Sequence, residues 1–186
     1  MNSYGIALIK NAEKCVLHPY LDSGNKPTIG WGNTFYEDGT RVKMTDKHLS
    51  QKRANQLFDN ISQAFYRDVK KLVIVDTNEN KLSALSSIAY NIGISAFKSS
   101  SLLKLVNSNA NQDIIDLHFR EWNKDNGKVE RGLIARREKE IELYKKKILN
   151  SKFMEKIKKF VTANKTAVMI VSGVVLIVVL YKKFKK

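Results

Sequence analysis

Residues 13–34 read EKCVLHPYLDSGNKPTIGWGNT, and the fold and the chemistry predicted for this chain both start from this stretch. Glu13 follows a segment with apolar residues at helical spacing, so it lies near the end of a predicted helix. Asp22 comes nine positions later in the turn-like DSGN, and Thr28 six positions after that. Turns rich in Gly and Asn separate short strand-like runs such as TIGWGNTF. The stretch therefore predicts a helix followed by a small antiparallel sheet.

The residue types in this stretch suit acid–base chemistry at a sugar. Glycoside hydrolysis commonly uses two carboxyl groups, one protonated as the acid and one ionised as base or nucleophile. Glu13 stands beside apolar Ala12 and Val16, and an apolar pocket would keep its carboxyl protonated. Asp22 lies in a polar turn that would keep it ionised, and the Thr28 hydroxyl could orient a water molecule near it. Taken singly, each of these is also an ordinary surface residue.

The rest of the first 150 residues is patterned mainly for helices. Apolar residues recur at helical spacing within residues 3–17 and again after Thr45, which is predicted to cap a long helix. Thr77 is predicted to cap the next helix and Gly93 to end it. Further helices are predicted over residues 99–105, 112–121 and 133–148. The layout predicts one α+β domain over residues 1–150: a helix, a small antiparallel sheet, then a mainly helical lobe.

An ordered series of motifs continues along the chain. In order, they are Thr28-Ile29-Gly30-Trp31-Gly32, Ala89-Tyr90-Asn91-Ile92-Gly93, Phe97 to Leu103, Trp122, Gly132-Leu133 and Arg136-Arg137-x-x-Glu140. Together with Glu13 and Asp22, they resemble the phage-type lysozymes of glycoside hydrolase family 24. That family has a helix-borne Glu, an Asp nine positions on, and a Thr six positions further within a T-I-G-x-G hairpin. The resemblance spans about residues 5–145.

The resemblance implies a lysozyme-like fold in which two lobes enclose a saccharide cleft. It implies hydrolysis of the β-1,4 bond between N-acetylmuramic acid and N-acetylglucosamine in bacterial peptidoglycan, with no cofactor and no metal. By analogy, Glu13 is the general acid, and Asp22 with Thr28 positions or activates the water. Inversion of configuration is favoured. Some relatives that lack the Asp are transglycosylases, so the presence of Asp22 argues for hydrolysis.

Four further residues are predicted to contact the substrate. Asn91 could reach the cleft, or it could serve only the local helix end. Trp31 could stack on a sugar. In the Ser run after Lys98, the contacting hydroxyl is left open between Ser100 and Ser101.

Other positions receive structural interpretations. Lys14 stands where the family usually has Gly, and Asn33 where many members have His. Arg136 and Arg137 are interpreted as holding the domain together. Trp122 could stack on a sugar, but it is interpreted as a core residue.

The histidines and the single cysteine give no strong sign of a site. His18, His48 and His118 share no metal-ligand spacing and are interpreted as structural or exposed. Cys15 excludes an intramolecular disulfide and is interpreted as a small buried residue.

The net charge of +15 favours an anionic partner. Nucleic acid, anionic lipid and the bacterial cell wall all fit, but no nucleic-acid-reading motif is present, so no specific nucleic acid is expected. Nine Lys and one Glu after residue 150 hold about half of that charge.

The end of the chain predicts a membrane anchor. Residues 166–181 read TAVMIVSGVVLIVVLY, a run of 16 residues without a charge. As a helix it spans about 24 Å, and extending it back to Val161 gives about 32 Å, enough for a hydrocarbon core of about 30 Å. We expect a transmembrane helix with a basic tail over residues 163–186, which meets the lipid through residues 163–181. A basic amphipathic segment over residues 151–162 would precede it. A buried core helix or strand, and a simply solvated basic helix, are the respective alternatives.

The combined expectation is a membrane-anchored muramidase that acts in phage entry or host lysis. Lysines flank both ends of the apolar run, so orientation stays open. The anchor could lie in the membrane of a lipid-containing virion or in the host inner membrane, with a holin or virion membrane proteins as partners. The N-terminal residues predict no signal peptide. A catalytically inactive virion or membrane protein on the same scaffold, and a basic nucleic-acid-binding membrane protein, are the alternatives.

Overall fold

The computed structural model describes residues 1–147 and, further along, the backbone of two short strands, Met169–Val171 and Val174–Leu176. The chain divides into two units, Met1–Lys146 and Lys147–Lys186. The boundaries predicted at residues 150 and 162 fall outside the described residues and stay predictions.

The first unit combines helices with two small antiparallel sheets. Its helices are α1 (Ser3–Ala12), α2 (Gln51–Leu72), α3 (Glu79–Ile92), α4 (Ile94–Ser99), α5 (Ser101–Asn107), α6 (Gln112–Arg120) and α7 (Arg131–Lys145). Its strands are β1 (Val16–Leu21), β2 (Pro27–Gly30), β3 (Lys124–Asp125) and β4 (Lys128–Val129), paired β1 with β2 and β3 with β4. This order confirms the predicted α+β layout of a helix, a small sheet and a helical lobe.

The first helix is shorter than predicted. Asn2 caps α1 by accepting a hydrogen bond from the Gly5 N–H at 3.1 Å. The helix ends at Ala12 instead of near residue 17, because the following residues pair with β2: Val16 lies opposite Gly30. Glu13 is therefore the C-terminal cap of α1, where the helix meets the sheet.

A tight loop follows β2. Ile29 and Asn33 exchange two backbone hydrogen bonds of 2.9 Å, which closes the TIGWGN motif on itself. Ile29 is fully buried and anchors this loop in the core beneath the sheet.

The long helix α2 begins later than predicted. Its N-cap is Ser50, whose side chain accepts from the Arg53 N–H at 3.1 Å, and not Thr45. The residues near Thr45 form a turn instead, in which Asp46 accepts hydrogen bonds from the Lys43 N–H and the Tyr36 hydroxyl. That turn satisfies the local polar groups without a helix.

Helix α2 also connects two hydrophobic cores. Near its start, Leu57 and Ile61 pack with Ile29 and Val42 in the core of the small sheet. Near its end, Val69 belongs to the core of the helical lobe. One helix therefore holds the two lobes of the unit together.

Helix α3 is the centre of the helical lobe. Residues 82–89 are all buried, and residues of α4 to α7 complete the core around them. The N-cap of α3 is Asn78 instead of the predicted Thr77. Gly93 ends α3 at φ +89°, as predicted, because the left-handed region favours Gly.

Part of the predicted membrane anchor can be compared with the structure. Met169–Val171 and Val174–Leu176 are antiparallel strands, so these six residues do not form the predicted helix. The run is rich in Val and Ile, whose branched Cβ atoms favour extended backbone. The juxtamembrane segment and the rest of the anchor lie outside the described residues. In the described part of the chain, no helix is both long and apolar enough to cross a membrane.

Candidate active site

A cleft of about 930 Å³ lies where α1, the Asp22 turn and α7 meet. One wall is formed by the end of α1 and by residues 22–26, and the other by residues of α7 and of the β3–β4 hairpin. Glu13, Asp22 and Asn91 all line it. Three of the predicted site residues are thus gathered in one cavity.

Glu13 is held at the cleft wall by three contacts. Its backbone N–H donates to the Ile9 carbonyl at 2.9 Å and ends α1. Its Oε1 accepts a hydrogen bond from Nη1 of Arg136 at 2.7 Å, and its side chain is 23% exposed. On the other side, Oε2 lies against Gly32: a Cβ at that position would come within 2.8 Å of it. Gly32 also has φ +77°, so both backbone and space require glycine there.

Arg136 connects Glu13 to a buried ionic cluster. The guanidinium is 5% exposed, and its Nε lies 3.4 Å from Oε1 of Glu140. Glu140 is fully buried, pairs with Arg137 at 2.8 Å and accepts from the Ser87 hydroxyl at 2.6 Å. Two arginines and two glutamates thus balance in charge beneath the cleft.

Burial acts strongly on this cluster. Desolvation raises the pKa of Glu140, while Arg137 and Arg136 oppose that shift. Desolvation likewise lowers the pKa of Arg137 to about 10. A buried charge that lost its partner here would be costly, so the cluster fixes the position of α7 relative to α3.

The surroundings of Glu13 differ from the predicted apolar pocket. The side chain that contacts its carboxyl is the Arg136 guanidinium, at 2.7 Å, and not an apolar group. The sequence-based expectation considered only Ala12 and Val16, neighbours along the chain, whereas Arg136 lies 123 positions away. Arg136 therefore contacts the predicted site residue Glu13 as well as the ionic cluster between α3 and α7.

Asp22 is organised by its own turn. Its Oδ1 accepts from the Lys26 N–H at 2.9 Å, and backbone bonds join Asp22 to Lys26 and Asn25. The carboxyl is half-buried and borders the cleft. Burial is the main cause that raises the pKa of Tyr20, and the charges of Glu13 and Asp22 add to it. Both carboxyl groups therefore lie near the Tyr20 side chain.

Thr28 lies behind the cleft wall. It is 2% exposed and pairs with Tyr20 across the β1–β2 sheet. Its hydroxyl donates to the Lys26 carbonyl at 3.0 Å, so it supports the Asp22 turn and keeps its lone pairs free.

Two of the predicted substrate contacts, Asn91 and Trp31, lie in different places relative to the cleft. Asn91 is exposed, lines the cleft and accepts a hydrogen bond from Arg137 at 3.1 Å, and its contact with substrate stays a prediction. Trp31 does not line the cleft. Its indole N–H donates to Asn55 at 2.9 Å, and its ring packs near Phe58.

The two serines are also placed apart from the cleft lining. Ser100 is 6% exposed and caps α5: its hydroxyl accepts from the Leu103 N–H at 3.1 Å and donates to the Phe97 carbonyl at 2.7 Å. Ser is a preferred N-cap residue, and the backbone takes up the Ser100 hydroxyl. A substrate contact by either serine stays a prediction. Ser101 is the exposed first residue of α5.

Sequence reasoning missed several cleft residues. Trp122, interpreted as core with sugar stacking as the alternative, is half-buried and lines the cleft while also packing on the helical lobe. Lys124 and Asp125 of the β3–β4 hairpin line it as well. The tip of that hairpin joins the two walls, because Nδ2 of Asn126 donates to the Ser23 carbonyl at 3.1 Å. The Asn-Gly pair at residues 126–127 is a hairpin signal that could have located this strand pair.

The remaining polar candidates form no assembled centre. Within the residues that the structure describes, no group of three or more His, Cys, Asp or Glu side chains could hold a metal ion. The His18 and His48 rings lie 5.6 Å apart at the surface. Cys15 is half-buried, and not buried as expected, with Sγ 3.5 Å from the Gln51 amide nitrogen.

Comparison with known proteins agrees with this geometry. The phage lysozyme family model matches residues 10–140. The endolysin of Bacillus phage PZA is 37% identical over 142 residues, which cover 75% of this chain and 53% of that protein. The endolysin of Salmonella phage P22 is 34% identical over 144 residues, covering 77% and 97%.

A solved structure extends the likeness to three dimensions. The endolysin from Escherichia coli O157:H7 phage FAHEc1 superposes with a TM-score of 0.67 at 32% identity, covering 81% of this chain and 96% of that one. The chain spans about half the length of the Bacillus phage endolysins that it matches. The matched region contains Glu13, the cleft and the ionic cluster beneath it, and the chain belongs to the phage lysozyme family.

Proposed function

We propose that the protein is a muramidase that hydrolyses the β-1,4 bond between N-acetylmuramic acid and N-acetylglucosamine in bacterial peptidoglycan. The observation that carries this proposal is the presence of two carboxyl groups, Glu13 and Asp22, on one cleft in a member of the phage lysozyme family. Glycoside hydrolysis commonly uses two carboxyl groups at one cleft, one as acid and one as base or nucleophile.

Glu13 is the proposed general acid. Its proton passes to the glycosidic oxygen of the leaving sugar as the bond to the anomeric carbon breaks. Arg136 holds Oε1, and Gly32 leaves room at Oε2. The Glu13 side chain is 23% exposed, so its carboxyl can be reached by a glycan in the cleft.

Asp22 is the proposed base. It takes a proton from the water that adds to the anomeric carbon, so the products are two free sugar ends. The Thr28 hydroxyl donates a hydrogen bond to the Lys26 carbonyl, and the Lys26 N–H donates one to Asp22. Thr28 thus helps to hold Asp22 in position. We propose inversion at the anomeric carbon, which proton NMR of the first product would reveal.

The proposal is tested with the full-length chain on a suspension of purified peptidoglycan. Wild type should clear the suspension. Glu13→Gln should abolish clearing while keeping the circular dichroism spectrum of a folded protein at the assay temperature, because the glutamine oxygen can still accept from Arg136. Asp59→Asn, a charge change on the exposed side of α2, is the matched control and should stay active. Retained activity in Glu13→Gln would overturn the mechanism. An inactive wild type would favour the alternative of a structural protein on a lysozyme scaffold.

We further propose that the protein is tethered to a membrane by residues 163–186. The uncharged run of residues 166–181, with lysines on both sides, supports this. The membrane would be that of a lipid-containing virion or the host inner membrane, with virion membrane proteins or a holin as partners.

The two locations can be separated by immunoblotting. The full-length chain and a variant that lacks residues 163–186 are each probed for in purified virions and in host membrane fractions. Absence from virions would eliminate the virion location, and recovery of the full-length chain only in soluble fractions would overturn the tether.

A further inference from the structure

The loop that follows β2 lies against the proposed acid. It consists of residues 30–33, and we call it the acid-side loop. A Cβ on Gly32 would come within 2.8 Å of Oε2 of Glu13, so the backbone of the loop is in close contact with that oxygen. The other oxygen, Oε1, accepts from Arg136. The Glu13 carboxyl is therefore bounded by an arginine on one side and by this loop on the other.

Tyr90, near the C-terminal end of α3, binds the acid-side loop from the helical lobe. Its hydroxyl donates a hydrogen bond to the Trp31 carbonyl at 2.8 Å. The same hydroxyl accepts one from Nδ2 of Asn33 at 3.0 Å. Trp31 and Asn33 are the two neighbours of Gly32 along the chain. Tyr90 therefore holds the loop on both sides of the residue that contacts Glu13.

The bond to the Trp31 carbonyl orients a whole peptide unit. That carbonyl and the Gly32 N–H belong to one planar peptide group, in which they point in opposite directions. The two backbone bonds between Ile29 and Asn33 close the base of the loop and leave this peptide group out. Gly32 has φ +77°, and a glycine can adopt many other conformations, so a bond from outside the loop is a direct means of selecting this one.

The Tyr90 side chain is itself held by aromatic neighbours. Its ring centre lies 5.9 Å from that of Phe58 and 5.4 Å from that of Phe65, both on α2. Burial is the main cause that raises the pKa of Tyr90, and the charge of Glu13 is the next. The hydroxyl therefore stays protonated and able to donate, and it lies close enough to Glu13 to interact with its charge.

We propose that Tyr90 is a positioning residue for Glu13, and that Asn33 orients the Tyr90 hydroxyl for this role. The hydroxyl fixes the peptide group between Trp31 and Gly32, and Gly32 limits the space that the Glu13 carboxyl can occupy. Tyr90 and Asn33 do not line the cleft, so they act through the loop and not on the glycan. The inference rests on the proposed function, because the position of Glu13 matters for turnover only if Glu13 is the acid.

The first test is Tyr90→Phe in the full-length chain, which keeps the ring and removes only the hydroxyl. On soluble glycan strands, kcat should fall about three- to tenfold while KM stays within about twofold of wild type, because the glycan still binds but the acid is misplaced. Tyr144→Phe is the matched control, since it removes the hydroxyl of a buried tyrosine in the core of the helical lobe. It should leave both constants within about twofold of wild type.

Circular dichroism first establishes that each variant is folded at the assay temperature. An unchanged kcat in Tyr90→Phe, a loss that appears only in KM, or an equal loss of kcat in Tyr144→Phe would overturn the positioning role.

A double variant tests whether Asn33 acts through Tyr90. Asn33→Ala removes the donor to the Tyr90 hydroxyl and should lower kcat by no more than Tyr90→Phe does. Added to Tyr90→Phe, it should cause no further loss, because the hydroxyl that it orients is already absent. Losses that multiply in the double variant would show that Asn33 acts by another route and would overturn this part of the proposal.

A spectroscopic measurement tests the contact without any turnover. The Gly32 N–H shares its peptide group with the Trp31 carbonyl, so its peak in a proton–nitrogen correlation NMR spectrum should shift in Tyr90→Phe. The same peak should stay in place in Tyr144→Phe. An unmoved Gly32 peak in Tyr90→Phe would overturn the proposal even if kcat fell. If wild type cleaved no glycan, the proposed function would fail instead, and the Gly32 peak would still decide whether Tyr90 holds the loop.

Discussion

At the residue scale, Arg136 makes contacts on which both the stability and the proposed chemistry depend. Its fork reaches Glu13 and Glu140, and it also lies 3.4 Å from the Ser87 carbonyl. A lysine would keep the charge but offers a single nitrogen, so it cannot make the same set of bonds. Arg136 thus joins the stability of the helical lobe to the position of the proposed acid.

We expect Arg136→Lys to reduce kcat about ten- to a hundredfold, with KM little changed, because Glu13 is no longer held. Arg136→Ala should also cost about 3–5 kcal/mol of unfolding free energy, since it leaves Glu140 short of a partner. Urea unfolding and steady-state kinetics measure the two effects separately. If the loss of activity in Arg136→Lys matched the unfolded fraction alone, Arg136 would be purely structural.

Ser100 and Ser101 offer a matched pair for the question of substrate contact. Ser100→Ala removes the cap of α5 and should cost about 1 kcal/mol of stability with unchanged KM. Ser101→Ala, at an exposed position, should leave stability within about 0.5 kcal/mol of wild type. Thermal melts and KM on peptidoglycan decide this, and a raised KM in Ser100→Ala would restore it as a substrate contact.

At the element scale, α2 is tied to the loop after β2 by one strong pair. Arg53 donates two hydrogen bonds to Glu37, of 2.6 and 2.7 Å, and Asn60 adds one of 3.0 Å. The Arg53 hydrogen bonds are the main cause that lowers the pKa of Glu37 to about 2 from its ordinary 4.5. The pair therefore fastens the small sheet onto the first half of α2.

This pair predicts a specific pH dependence. A carboxyl whose pKa is lower in the folded than in the unfolded state stabilises the fold fully above about pH 4.5, and this contribution is lost as pH falls toward 2. Solvent screening limits it to about 1 kcal/mol. Melting curves of wild type and Glu37→Gln should therefore differ at pH 6 and converge near pH 2. Parallel curves over the whole range would show that the pair contributes nothing.

Secondary-structure elements were predicted best where apolar residues recur at helical spacing over many residues and a distinctive residue ends the helix. The face of α3 and its end at Gly93 follow directly from the apolar spacing and the glycine. Ser and Thr are both preferred N-cap residues, and the sequence pattern predicts a cap at Thr45 where the structure has Ser50. Residues 13–17 fit a helical stripe too, and only pairing with β2 decides against it.

At the scale of the whole molecule, the two carboxyl groups proposed for catalysis could be predicted from the sequence. The residues that surround them could not. Glu13 and Asp22 stand close in sequence, and motif spacing was enough to bring both to the cleft. The partner of Glu13 comes from α7 and one wall of the cleft from the β3–β4 hairpin, more than a hundred positions later. Contacts at that separation depend on the packing of α1, α3 and α7, which local pattern does not encode.

The contact between Asn126 and the Ser23 carbonyl bears on how a polymer gets in. The β3–β4 hairpin and the Asp22 turn meet there through this one hydrogen bond. A neutral hydrogen bond contributes only about 1 kcal/mol, so a glycan strand could part the two segments at small cost. Under the proposed function, internal bonds of a strand would then be accessible as well as those at its ends.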